Sequence, residues 1–228
     1  MKKYQKFYHL VFFALLLLPF VFSCKKPRMN PGGGGGTDTV VIVPPAPFDI
    51  NSINDTYDDV ASFTNYFKWG SYNVHDPSIK KFGEFYYCYN TDVGYGTAVP
   101  PGIQVRKSKD LVEWKFVGWV FNRLPALGSQ FITSSGGTPF DALWAPYVLK
   151  VNNEYRLYYS LSSAKPRLSV IGLATSTSPE GPWTEKGLVV TSTDGNTIQT
   201  NAIDPAVVVT PAGEQYFYYG SAWGGIYM

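Results

Sequence analysis

The sequence predicts an all-β chain built from β-propeller blades, and three observations lead there. Strand-turn-strand segments recur with an X-Pro pair at each start, and a second strand pair recurs between them. Aromatic residues make up 17% of the chain, enough to stack blade on blade, and no helical periodicity runs through the apolar positions.

The recurrences start 69 and 59 residues apart, at Asp76-Pro77, Ala145-Pro146 and Asp204-Pro205. Each opens an apolar strand, passes through a short turn holding Gly or Asn (Gly83, Asn152-Asn153, Gly213), and continues into an aromatic strand ending near Tyr87, Tyr159 or Tyr219. Between them, Ile103–Ser108 through Trp114 parallels Ile171–Ser176 through Trp183, which reads as a third strand, a turn and a tryptophan-bearing fourth strand. A β-sandwich would not be expected to place an X-Pro pair at each repeat start. Two blades and the beginning of a third are visible. Propellers usually close with four to eight, so the sequence reads as part of a ring.

The front of the 228-residue chain has a different character. Lys2, Lys3 and Lys6 precede an apolar stretch from Leu10 to Phe22, the charged start and hydrophobic middle of a secretory signal, too short for a comfortable membrane span. Residues 1–23 are therefore read as a lipoprotein signal peptide, because Val21-Phe22-Ser23-Cys24 resembles a lipobox with Cys24 as the acylated residue. Residues 24–57, with Gly32–Gly36 and Pro44, Pro45 and Pro47, cannot bury a core and read as a tether; residues 58–228 form the partial propeller domain. The chain is expected to be exported and lipid-anchored to a bacterial membrane.

Charge excludes one class of partner. Six of the 19 basic residues precede position 30, leaving 13 against 17 acids in the remainder, and that mildly acidic domain has no basic footprint for nucleic acid. With Cys24 acylated, Cys88 has no partner within the chain and is expected to pack among aromatics.

The chemistry concentrates at the repeat starts. The innermost strand of a blade faces the central channel, so Asp76 and Asp204 are expected to point at one cavity, and paired carboxylates suit glycoside hydrolysis, where one activates a water. Asp-Pro also simply starts strands. Ala145, at the matching place on the intervening blade, shows that the repeat does not require the carboxylate. His75 flanks Asp76 and could orient it.

Val74-His75-Asp76-Pro77-Ser78, Leu143-Trp144-Ala145-Pro146 and Asn201-Ala202-Ile203-Asp204-Pro205 together resemble the family 43 glycoside hydrolases, most closely the endo-1,5-α-L-arabinanases. Supporting stretches are Ser108–Trp114, Tyr158–Ser163, Ile171–Ser176 and Ser192-Thr193-Asp194-Gly195. The resemblance implies a five-bladed propeller, monomeric at full length, that hydrolyses α-1,5-arabinan or arabino-oligosaccharide with inversion. Asp76 matches the general base and Asp204 the carboxylate that tunes the pKa of the acid. Asn201, Ala202 and Ile203 would line the sugar site beside Asp204, with Trp144 on its floor and Ser221-Ala222-Trp223 on the next strand. The resemblance allows calcium in the full-length fold, whereas no cofactor or metal ligand set is identifiable in this chain. The family's general acid, a Glu before a small residue and Pro, has no match. Glu180-Gly181-Pro182 lies in an outer turn and is rejected. The chain alone is therefore expected to be nearly inactive. A sugar-binding remnant, an arabinofuranosidase or β-xylosidase of the same family, and a module pairing through its open edge remain as alternatives.

Overall fold

The computed structural model describes residues 60–94, 98–195, 199–221 and 223–228, all within one compact unit spanning Asn51–Met228. The signal peptide, the tether, Cys24 and Ala222 lie outside the described residues.

Strands β1 (Ser78–Phe82), β2 (Phe85–Asn90), β3 (Gln104–Ser108) and β4 (Lys115–Trp119) form a four-stranded antiparallel sheet in sequence order. Strands β5 (Trp144–Val151), β6 (Glu154–Ser162), β7 (Ser169–Ser176) and β8 (Thr184–Ser192) repeat it, and β9 (Ala206–Val209) with β10 (Gln215–Tyr218) begins a third. The chain then folds back through an antiparallel bridge between Tyr219 and Tyr227.

Turn chemistry sets the register. Phe82 pairs with Phe85 and Val151 with Glu154, leaving two-residue turns in which Gly83 (φ 63°) and Asn152 (φ 54°) adopt the left-handed conformation that tight hairpins need. Alternation along β6 then sends Leu157, Tyr159 and Leu161 into one seam and Tyr158 into the other. The first seam also gathers Tyr87, Tyr89 and Val105 from the first blade. The second joins Leu149 and Ile171 to Ala202 and Val207. With a blade on each side, β6 is buried along nearly its whole length. β8, at the rim, alternates.

Two short helices accompany the all-β blades. A 3-10 helix, Phe63–Lys68, precedes the first blade, and an α-helix, α1 (Ala126–Ser134), follows it. Nine residues are too few to hold a helix by propensity, and α1 is secured from outside. The backbone N–H groups of Leu127 and Gly128 donate to Glu185 on β8 at 3.1 and 3.4 Å, Ser129 Oγ donates to the Pro125 carbonyl, and Ile132 is fully buried. Gly128 lets the helix approach β6 closely, since a Cβ there would lie 3.1 Å from the Tyr159 hydroxyl. Trp114 and Trp183 stand one residue ahead of the fourth strands rather than within them, and Trp183 packs edge-on to Tyr89 in the first seam. Cys88 is buried among the strands, and burial pushes its thiol up to about 11.

Candidate active site

The three inner strands begin in the same way. Asp76 (φ 46°) and Asp204 (φ 55°) stand two residues ahead of β1 and β9, and Ala145 (φ 28°) is the second residue of β5, all three in left-handed backbone. Asp tolerates that conformation better than most residues with a Cβ, so the backbone accounts for part of the preference for Asp. Ala145 adopts it without a carboxylate, so the acid itself has another use.

Asp76 is exposed and held along one edge. Oδ2 lies 2.9 Å from His75 Nδ1 and accepts a hydrogen bond from Thr91 Oγ1 at 2.8 Å, while Oδ1 has no partner among the described residues. Thr91 follows β2, opposite Asp76, and its oxygen also accepts the Ala145 N–H at 2.7 Å, so one hydroxyl ties the first blade's carboxylate to the start of the second blade. At the next junction Ser160 Oγ accepts the Asp204 N–H at 3.2 Å.

Partial burial raises the Asp204 carboxyl above the ordinary carboxylate range, a hydrogen bond from Ser221 opposes the shift, and the charge of Asp76 adds to it.

Trp144 is half-buried and stacks on Phe140, with centroids 5.7 Å apart and planes within 18°. It pairs in register with Ser160, between the two Asp positions. Asn201 Oδ1 is buried with no hydrogen-bond partner. One expected sugar-lining side chain faces elsewhere: Ala202 is fully buried in the second seam, where it is spent on packing. Ile203 is 7% exposed, and its carbonyl accepts the Gly220 N–H. Trp223 lies at the surface, 67% exposed.

Thr91 and Asp92 were not legible as site residues. Asp92, 6% exposed, accepts N–H bonds from Gly102 (2.7 Å), Ile103 (2.8 Å) and Leu143 (2.9 Å), and returns its own N–H to the Leu143 carbonyl. It clamps the loop before β3 and the approach to Trp144 onto the end of β2. Burial pushes it up to about 7, with the three backbone donors pulling the other way.

Glu180 cannot serve as a free acid. Its Oε1 accepts from Tyr87 Oη at 3.0 Å and Lys107 Nζ at 2.7 Å, and the Lys107 bond holds the carboxyl below its usual range. Among the described residues no three of His, Cys, Asp and Glu gather where they could hold a metal ion.

Fold and site together define a β-propeller that presents paired carboxylates where its inner strands begin. The chain belongs to the glycosyl hydrolases family 43, whose sequence profile matches residues 70–228. The extracellular endo-α-(1→5)-L-arabinanase 1 of Bacillus subtilis is 36% identical over 161 residues, 69% of this chain and 47% of that protein. The extracellular exo-α-(1→5)-L-arabinofuranosidase of Cellvibrio japonicus is 31% identical, over 68% of this chain and 42% of that protein. Among solved structures, native Bacillus subtilis arabinanase superposes with a TM-score of 0.58 at 34% identity, covering 67% of this chain and 50% of that one. A Cellvibrio cellulosa α-L-arabinanase complexed with arabinohexaose superposes at 0.57 with 30% identity, over 67% and 46%. The chain spans about half the length of the curated relatives it matches. These arabinanases are five-bladed propellers, and the described residues form two blades and part of a third.

Proposed function

We propose that this chain carries the water-activating half of an inverting α-1,5-arabinan hydrolase. The observation that carries the reading is the asymmetric holding of Asp76. His75 and Thr91 fix Oδ2, and Oδ1 is left open to take a proton from water. In the reaction, that water attacks the anomeric carbon as its proton passes to Asp76. The glycosidic C–O bond breaks on the opposite side, and the leaving oxygen takes a proton from a general acid. Asp204, raised by burial and by the charge of Asp76, is the carboxylate that tunes and positions that acid. No described residue supplies the acid, so it lies outside them. Trp144 offers an aromatic face to a furanose ring, and Asn201 and Ser221 are the proposed partners of its hydroxyl groups.

Export is supported by relatives named as extracellular, and acylation of Cys24 is the proposed anchor. Mass spectrometry of the mature N-terminus should find a diacylglyceryl group on Cys24, and an unmodified N-terminus elsewhere would end the anchoring proposal. For the activity, debranched arabinan and xylan are incubated with the protein and reducing ends are counted. Turnover restricted to arabinan, lost in Asp76→Ala, is expected once the acid is present. Binding of arabino-oligosaccharide without any turnover would instead favour a sugar-binding role.

A further inference from the structure

A second place on the molecule has the chemistry of a sugar site. Where the first and second blades meet at the rim, a cleft of about 630 Å³ opens between the end of β4 and the turn before β8. Its walls are the rings of Trp119, Phe121, Trp183 and Pro101, and its polar groups are Asn122 and Glu180.

The polar groups are arranged to receive hydroxyls. Both structural bonds to Glu180 use Oε1, which leaves Oε2 without a partner among the described residues. The bond from Lys107 keeps the carboxylate ionised, so Oε2 remains an acceptor at neutral pH. Asn122 is exposed and supplies an amide that both donates and accepts. The indole N–H groups of Trp119 and Trp183 are buried at the walls without an acceptor. An unpartnered buried donor is costly, so both N–H groups are available to a sugar oxygen that reaches them. Aromatic and proline faces for apolar C–H surfaces, with a carboxylate and an amide at their edge, form a combination suited to a neutral polyhydroxylated ring.

We propose that this cleft is an accessory binding site for a neutral oligosaccharide, taking a stretch of the same arabinan chain whose cleavage is assigned to the central carboxylates. The proposal rests on that glycan reading. It gives the protein a second grip on a polymer, which raises apparent affinity for long chains more than for short ones through effective concentration.

The test is a titration of the protein with arabinohexaose, followed through the ¹H–¹⁵N signals of its six tryptophan indoles. Saturable shifts of the Trp119 and Trp183 signals are expected, unchanged by Asp76→Ala and weakened about tenfold in affinity by Asn122→Ala combined with Glu180→Gln, the loss of one charge-assisted hydrogen bond. A response at Trp144 with Trp119 and Trp183 silent would overturn the accessory site and leave the central reading intact. Silence at all three would overturn both. Cleft shifts that cellohexaose reproduces with equal affinity would remove the arabinan assignment.

Discussion

The first and third blades set Asp76 and Asp204 at equivalent strand starts but surround them with different chemistry. In the first blade, Thr91 stands opposite Asp76 and joins it to the Ala145 N–H, while Asp92 clamps three backbone N–H groups. In the third, Gly220 takes the place of Thr91, where a Cβ would lie 2.5 Å from the Gly225 carbonyl and the Thr200 hydroxyl, and Ser221 takes the place of Asp92. The first blade builds a side-chain lock around an exposed carboxylate. The third makes a backbone approach around a partly buried one. The difference separates two demands on a carboxylate pair: a base must be held still with one oxygen open, whereas a carboxylate that tunes an acid benefits from burial and a like charge nearby.

The largest effect is expected where the lock is densest. Asp92→Ala strands three backbone N–H groups in the interior and should cost on the order of 3–5 kcal/mol of stability. The equivalent Ser221→Ala should cost under about 1 kcal/mol. Denaturant titration of both variants measures the contrast, and equal losses would break it.

The same carboxyl gives the first seam a pH dependence. Its folded value of about 7 lies above the ordinary 3.8, so its contribution to stability is full below pH 3.8 and is lost as pH rises through 7. Asp92→Asn cannot ionise, and its unfolding midpoint should fall less than that of the parent between pH 5 and 8. Parallel curves would show that Asp92 does not titrate in that window.

A smaller effect is expected one residue earlier. Thr91→Val keeps the shape but leaves the Ala145 N–H unpaired and frees Asp76, at a cost of about 1–3 kcal/mol and about tenfold in turnover. Ser160→Ala should cost about 1 kcal/mol and change turnover least, since Ser160 meets the backbone of Asp204.

Hairpins and strand starts were legible because their determinants are local. Gly83 and Asn152 sit inside two-residue turns, and Asp76, Ala145 and Asp204 each precede a proline. Helix α1 was not, because its N-terminus is capped by Glu185, 57 and 58 residues further on, and only tertiary packing buries Ile132. Asp92 was missed for the same reason: its partners lie 10, 11 and 51 residues away, and nothing next to it marks a buried acid. Ala202 shows the reverse. Its motif is local, but the second seam sets its direction.

The most direct test of the account is chemical rescue at Asp76, using an aryl α-L-arabinofuranoside whose leaving group departs without a general acid. The parent protein should release the β-anomer of arabinose, seen by ¹H NMR before mutarotation. Asp76→Ala should lose about 10²- to 10⁴-fold in rate and recover with added azide, forming β-arabinofuranosyl azide. Release of the α-anomer, or an Asp76→Ala variant as fast as the parent, would contradict the assignment of Asp76 as the base.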